Sequence, residues 1–495
     1  MDATAFESEV EPNCASAAAA AAAAAAPADA PDDRLARRLG SEHFRREYGL
    51  KYAYVTGAMY RGIASKELVV AMGRAGLLGF LGTGGLSLES IRSDIAFIQR
   101  ELAPQQAYGM NLIANVGNPD TEMKTAELFL QTGVRTIEAS AFMQITPALV
   151  RYRLAGLSQV ADGPTECRNR IVAKLSRPEV AKGFMSPAPE RIVAKLLTDG
   201  LVTAEQARLA SSVPMANDVC VEADSGGHTD QGVALVLLAR MQRLRVECGH
   251  NAQSMRVGLA GGIGTPEAVA AAFVMGADFV VTGSINQCTV EAATSDAVKD
   301  MLQDIDIQDT TYAPAGDMFE MGAKVQVMRK GVFFPARANR LAALYQQYES
   351  LDDLPPSVRE QLEEKYFKRS LESIWLETRT YFESSGQPGE IEKAERNGKH
   401  KMALVFRWYF GHSMRVAFAG DQMHRVDYQI HTGPALGAFN RWVQGTPWEN
   451  WRARHVDQIG ERLMIDAGKV ISHQLEALGI SGTRSSNSAT QGECR

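Results

Sequence analysis

Apolar residues along this chain alternate between two periods. Short runs of consecutive apolar and small residues are separated by longer stretches in which apolar positions recur at helical spacing. The first kind reads as strands buried on both faces and the second as helices with one covered face. The runs fall at Tyr52–Met59, Leu77–Gly82, Ala107–Asn111, Val134–Ala139, Arg170–Leu175, Val219–Asp224, Arg256–Ala260 and Phe279–Thr282. Helical patterns at 65–76, 88–102, 119–132 and 147–157 separate the first five, and Ile91, Ile95 and Ile98 mark the inner face of one of them. Eight such strands alternating with helices predict an α/β fold, a (β/α)8 TIM-type barrel.

Two stretches depart from that rhythm. Between the fifth and sixth runs lie residues 176–218, with Met185-Ser186-Pro187-Ala188-Pro189 near their start. An insertion of that length on the catalytic face reads as a lid or a substrate-shaping element. Beyond residue 300 the alternation stops. Residues 301–480 read as an α-helical C-terminal subdomain, whose Trp375, Trp408, Trp442, Trp448 and Trp451 are expected in its core rather than in a cofactor box. The barrel is then expected over 46–300. Residues 1–45, with the polyalanine tract Ala17–Ala26, and residues 481–495 read as disordered tails. Polyalanine favours a helix but buries nothing.

The chemistry concentrates at 219–284, where three turns follow buried runs: Ser225-Gly226-Gly227-His228, Ala260-Gly261-Gly262-Ile263-Gly264 and Thr282-Gly283-Ser284. A phosphate is best held by backbone N–H groups that side chains would block, hence glycine. Thr265 fits a helix N-cap and Pro266 the first helical position. Phosphate chemistry in the last two turns matches the loops after strands 7 and 8 of a barrel. A dinucleotide-binding Rossmann turn is the rival, but it requires an acidic residue after the next strand, where this chain has Thr282-Gly283-Ser284. Gly57, Ala58 and Met59 end the first run with small residues against which a flat ring can lie.

His228 follows two glycines beyond a strand end, so it can donate a hydrogen bond or a proton near neutral pH, or simply cap the turn. Asn111 offers a donor and an acceptor edge to a pyrimidine ring, or serves as a strand-end cap. Lys174, inside the fifth run, reads either as a cation beside a bound ring or as an internal ion pair with Glu138 or Glu222. Cys288 has no base beside it in sequence and reads as packing.

Bulk properties exclude more than they assign. The net charge of -6 over 495 residues offers no electrostatic case for nucleic acid or a membrane surface. Six cysteines, at 14, 167, 220, 248, 288 and 494, show no metal-ligand spacing and read as reduced thiols of a cytoplasmic protein. No apolar run approaches a membrane span, and no basic leader opens the chain.

The motifs EADSGGHTDQG, GLAGGIGTPEA, VVTGSINQC and AYGMNLIAN, with the distant LVFRWYFGHS and DYQIHTGPALGAFNRWV, resemble the PfaD family. These are trans-acting enoyl reductases of polyketide and polyunsaturated fatty acid synthases. The barrel motifs are shared with FMN-dependent enoyl-acyl-carrier-protein reductases and nitronate monooxygenases. SPAPERIVAKL and FNRWV single out PfaD-like chains. The resemblance covers about residues 48–475. It implies bound FMN, NADPH as hydride source, and a 2-enoyl thioester on an acyl carrier protein as substrate. It also implies His228 beside the ring and Gly261, Gly262, Gly283 and Ser284 around the phosphate. An acidic carrier calls for a basic patch near the barrel mouth, for which Arg151, Arg153, Lys182 and Arg191 are candidates. A homodimer is compatible with this reading. A nitronate monooxygenase and a non-catalytic docking subunit of a synthase are the alternatives.

Overall fold

The computed structural model describes residues 31–480 apart from 116, 160–162, 164, 250 and 251. The polyalanine tract and residues 481–495 lie outside the described residues. Eight strands close into a barrel: Tyr54–Thr56, Leu78–Leu81, Gly109–Ile113, Thr136–Ser140, Arg170–Leu175, Asp218–Glu222, Arg256–Ala260 and Val280–Thr282. They are numbered 1 to 8 below. Neighbours pair in parallel, and the ring shuts where Tyr54, Val55 and Thr56 lie against Val280, Val281 and Thr282. Each expected apolar run overlaps one of these strands, and the (β/α)8 expectation is the observed fold.

Local chemistry sets the direction of the ring. Ser65, Ser87, Asn118, Thr146 and Thr265 each cap a helix that begins just after a barrel strand, accepting from the N–H three residues on. A cap of this kind contributes about 1 kcal/mol. Pro119, Pro147 and Pro266 occupy first-turn positions where no N–H is needed. The opposite end is plugged. Phe44 stacks on Phe279 at 4.3 Å, and the Tyr48 hydroxyl donates to Asp218 at 2.6 Å. Arg256 joins Asp218 to Glu47 in the same buried group. The carboxyl ends of the strands are left as the open face, where barrel enzymes keep their chemistry.

Four expectations need correction. The first is the N-terminal tail, which does not extend to residue 45. Pro31–Ala36 and Glu42–Tyr48 are helices, and Ala36 and Phe44 are buried, so the second helix forms the plug.

The second is the segment 176–218. It forms the helices Pro178–Phe184, Glu190–Thr198 and Ala204–Leu209, which fill the outer ring and then descend. The last packs on a hairpin, Leu157–Gln159 with Thr165–Cys167, that immediately precedes strand 5. Arg208 donates to Gln159 at 2.7 Å, and the Thr165 and Ser212 hydroxyls lie 3.0 Å apart. The insertion therefore runs to the plugged end and is no lid.

Third, the stretch 301–480 is helical but also carries strands Thr310–Pro314 and Lys324–Met328. With Gly227–Thr229 they make a three-stranded antiparallel sheet that sets Val325 opposite His228.

Last, the barrel does not end at residue 300. The final helix, Val456–Ala477, packs on Pro266–Val274 and Lys66–Arg74, in the eighth place of the outer ring. Gly460 allows that approach, since a Cβ there would lie 2.7 Å from the Tyr54 ring. Residues 289–455 are thus inserted between strand 8 and its own helix. They carry a second core around Phe334, Leu341, Phe367, Ile374, Phe406 and Phe410.

Candidate active site

Strands 3 to 6 contribute a polar chain to the barrel. The Asn111 amide nitrogen donates to the Glu138 carbonyl at 3.1 Å, to its Oε2 at 3.3 Å and to Ser140 at 2.9 Å. Its donor edge is therefore occupied within the protein, which leaves the oxygen for any ligand. Glu138 is 2% exposed, and burial raises its carboxyl pKa although Lys174 opposes this. The Lys174 ammonium lies 3.8 Å from Glu138 and 3.5 Å from Glu222. Burial alone would lower the Lys174 pKa, but the two carboxylates together raise it. The internal ion pair read for Lys174 is present. Lys174→Met leaves two carboxylates unmatched, one of them fully enclosed, and should cost about 3–5 kcal/mol of stability. A urea midpoint equal to that of the parent would show that the pair does not hold the barrel together.

Gly57, Ala58 and Met59 lie over this chain. The Gly57 N–H donates to Thr282 O at 3.0 Å, and the Ala58 N–H to Glu138 at 3.2 Å. A Cβ on Gly57 would come within 3.3 Å of the Glu138 carboxylate, which explains the small residue. The Thr282 hydroxyl meets the Tyr54 hydroxyl at 2.8 Å and its carbonyl accepts from Asn286 at 3.0 Å, so it is held as a strut.

The glycine turns divide by what surrounds them. Ala260 O accepts from Ala223 N at 2.9 Å, and a Cβ on Gly261 would strike Ala223 O at 2.7 Å, so this pair welds loops 6 and 7 together. Gly262 and Gly283 differ, because a Cβ on either would meet nothing within 4 Å. Gly226 faces Ser284 and Thr432, each closer than 3 Å to where a Cβ would be. Ser284 Oγ accepts from Gly433 N at 3.1 Å. The Thr432 hydroxyl is buried here without a partner, and so is the Gln326 Oε1 beside Gly433. Backbone N–H groups, open space and unpartnered buried oxygens at one point form a cradle for an anionic or hydroxylated group.

His228 stands beside that cradle. Its Nε2 is 2.9 Å from Asp317 Oδ1, and its ring meets His431 edge-on at 6.4 Å. Burial alone would lower the His228 pKa, but the hydrogen bond and charge of Asp317 raise it above the ordinary imidazole value. His431 is pushed down to about 4, by burial first and then by His228. The two neighbouring rings are thus shifted in opposite directions, His228 upward and His431 downward, the separation expected where an acid has a defined role. Tyr312 and Thr229 donate to Asp224 and fix the loop that carries His228.

Sequence reasoning brought together His228, Gly226, Gly227 and the turns at 261–262 and 283–284. It missed Asp317, His431, Thr432 and Gln326, all supplied by the inserted segment. One signal was available: Thr432-Gly433-Pro434 opens the helix Pro434–Trp442 with the same small-residue-then-proline pattern as Thr265-Pro266. The candidate basic patch is corrected as well. Arg151 pairs with Glu127 at 2.7 Å, and the buried Arg153 donates to Pro214 O and Asn169 O. Both lie in the last turn of a helix that starts at the open face, so they sit at its far end. Lys182 and Arg191 are exposed on the outer ring. Among the described residues no group of three or more His, Cys, Asp or Glu side chains could hold a metal. No helix among them is long and apolar enough to cross a membrane.

Residues 348–428 match the family described as [Acyl-carrier-protein] S-malonyltransferase, inserted helical domain. The polyketide biosynthesis protein PksE of Bacillus subtilis (strain 168) is 55% identical over 446 residues, which cover 90% of this chain and 58% of PksE. A polyunsaturated fatty acid synthase subunit of Thraustochytrium sp. is 46% identical over 414 residues, 82% of this chain and 28% of that protein. This chain therefore spans little more than half of the one relative and under a third of the other. The crystal structure of the enoyl reductase domain of MlnA, from the macrolactin cluster of Bacillus amyloliquefaciens, superposes with a TM-score of 0.85 at 44% identity. That match covers 89% of this chain and 99% of the solved domain. Covering a whole enoyl reductase domain at that identity, on a closed ring of eight strands, the chain belongs to the PfaD-like enoyl reductases.

Proposed function

We propose that this chain is an FMN-dependent enoyl reductase that uses NADPH and acts in trans on 2-enoyl thioesters of an acyl carrier protein, in polyketide or polyunsaturated fatty acid biosynthesis. The observation that carries the reading is the Asp317-held His228 standing beside turns whose Gly262 and Gly283 leave side-chain space empty. The kinship with enoyl reductase domains supports the reaction class. The helical segment 348–428 supports a carrier partner, because it resembles a domain of enzymes named for that carrier.

The cradle fits FMN. A phosphate ester would fill the space at Gly262 and Gly283 and take N–H donors from the turns around Gly226 and Ser284. The buried Thr432 hydroxyl would gain a partner there. Bound in this place, FMN supplies the chemistry of accepting hydride from NADPH and releasing it to the β-carbon of the enoyl group. As the β-carbon gains hydride, charge develops on the α-carbon and the thioester oxygen. The protonated His228 ring donates a hydrogen bond to that oxygen and then its proton to the α-carbon. Its side chain is 51% exposed, so solvent restores the proton. Asp317 keeps the ring charged and oriented, and the neutral His431 beside it adds no competing charge.

The test is direct. The purified protein should show flavin absorbance and oxidise NADPH on adding a crotonyl thioester of a carrier protein. Protein that takes up no FMN on reconstitution, or that turns over nitronates with oxygen and ignores enoyl thioesters, would sink the reading. A pH signature follows from Asp317. Activity that needs the imidazolium declines as pH rises through the His228 pKa, which Asp317 sets above its ordinary value. Asp317→Asn should therefore move the falling limb of kcat/KM to lower pH, and an unmoved limb would assign that limb to another group.

A further inference from the structure

Two imidazoles share one wall of this site, and each has one nitrogen tied back. His228 Nε2 is held by Asp317 at 2.9 Å, and His431 Nε2 by the Gln429 amide nitrogen at 2.7 Å. Among the described residues neither Nδ1 makes a hydrogen bond. His228 is exposed and His431 half-buried, and the His431 Nδ1 is not enclosed. It faces Gly227, the neighbour of His228. The nitrogen is 3.6 Å from where a Cβ on Gly227 would stand, and apart from the adjoining residues nothing else lies within 4 Å of that point. A side chain at 227 would cover the nitrogen, and the bare glycine, at φ 91°, leaves it accessible.

The partner of Nε2 decides which nitrogen of His431 carries the proton. An amide nitrogen only donates, so Nε2 accepts and the hydrogen of the neutral ring sits on Nδ1. The residue is held from three sides. Its carbonyl accepts from Gln287, in the loop after strand 8, at 2.6 Å, and its backbone bridges to Val327. The Gln429 N–H donates to Ser413 O, on the helix Gly398–Ala419, at 3.2 Å. The next residue, Thr432, carries the unpartnered hydroxyl of the cradle. A donor fixed in this way needs no reorganisation when negative charge develops beside it.

We propose that His431 Nδ1–H is a second hydrogen-bond donor to the thioester oxygen, beside His228, and that Gln429 is the positioning residue that keeps the proton on that nitrogen. This rests on the enoyl reductase reading. With its Nε2 on Asp317, His228 also has only Nδ1–H to offer a substrate. An N–H···O bond spans about 2.9 Å, so two rings with centroids 6.4 Å apart and planes at 87° are close enough to share one oxygen. As hydride reaches the β-carbon, electron density moves through the α-carbon to that oxygen, and both donors stabilise it. His228 then gives its proton to the α-carbon, whereas the His431 N–H bond stays intact.

The test uses the FMN-loaded protein and a crotonyl thioester of a carrier protein. His431→Phe keeps a ring but no donor, and should lower kcat for enoyl reduction about 10²–10³-fold, the cost of removing one such donor. The rate of the NADPH half-reaction should barely change. His431→Asn, whose amide nitrogen can stand where Nδ1 stood, should recover at least about tenfold of that loss. His431→Gln, whose amide nitrogen falls nearer the place of Nε2, should not. Nitrogen NMR of histidine-labelled parent should show a neutral ring protonated at Nδ1, a signal that vanishes in each His431 variant. In Gln429→Leu that proton should shift toward Nε2. Equal slowing of both half-reactions, equal loss in His431→Asn and His431→Phe, or a His431 ring protonated at Nε2 in the parent overturns the proposal. If His431→Phe does not fold, the NMR of the parent and the contrast of Asn with Gln still decide it. A parent that leaves the thioester unreduced sinks the enoyl reductase reading and this proposal with it, whereas an active parent matched by His431→Phe sinks the proposal alone.

Discussion

His228→Ala should purify folded and with its full complement of FMN, yet reduce a crotonyl thioester about 10²–10⁴-fold more slowly than the parent. The fold survives because the strand Gly227–Thr229 pairs with Lys324–Met328 through backbone atoms, which alanine keeps. The ring itself touches Asp317 and is half exposed, so its loss opens no cavity in either core. What disappears is the protonated donor on this wall of the site. Asp317 cannot replace it, since an aspartate near neutral pH is ionised and only accepts, and burial keeps His431 neutral. The loss should fall on the step that consumes the enoyl group. The rate at which NADPH is consumed in a single turnover without acceptor should change far less. Equal slowing of both steps would recast His228 as a residue that positions the ring or the nicotinamide.

How far the sequence discloses this arrangement depends on what makes each part. The eight strands are legible because a parallel strand is covered on both faces, and continuous runs such as RIVAKL and MRVGLA suit few elements besides a buried strand. Thr265-Pro266 is legible because cap and first-turn preferences act within four residues. The strand through His228 is not. Gly227-His228-Thr229 has low strand propensity and pairs only because the distant Lys324–Met328 lies against it. Asp317 is separated from His228 by 89 positions, and nothing local marks it as a partner. The eighth outer helix was hidden for the same reason. An alternation rule assigns each helix to the strand before it, and here residues 289–455 intervene. Lys174 shows the opposite limit. The sequence offers two roles for it, and the ion pair among them is established only by the 3.5 and 3.8 Å separations from Glu222 and Glu138.

The turns offer a sharper experiment than the histidine, because two glycines in the same cradle should fail for separable reasons. At Gly262, with φ of 75°, any side chain is strained by about 1–2 kcal/mol whatever the space around it. Gly262→Val should therefore lose both FMN and some stability of the apoprotein. Gly283 has φ of −133°, outside the left-handed region, and a Cβ there would touch nothing within 4 Å. Gly283→Val should leave the apoprotein nearer the parent in melting temperature than Gly262→Val does, while filling the volume that the phosphate needs. Both variants should purify nearly colourless and bind added FMN at least about 100-fold more weakly, the equivalent of about 2.7 kcal/mol. Riboflavin, which lacks the phosphate, should lose far less affinity on either substitution, and that contrast isolates the cradle from the rest of the ring site. Gly261→Ala serves as the contrasting change. Its Cβ would strike Ala223 O at 2.7 Å, so it should damage the packing of the two loops in apoprotein and holoprotein alike. Full FMN occupancy in Gly283→Val would put the phosphate elsewhere and leave the eighth loop without a part in binding it. Equal loss of riboflavin and FMN would instead make the turn a support for the ring.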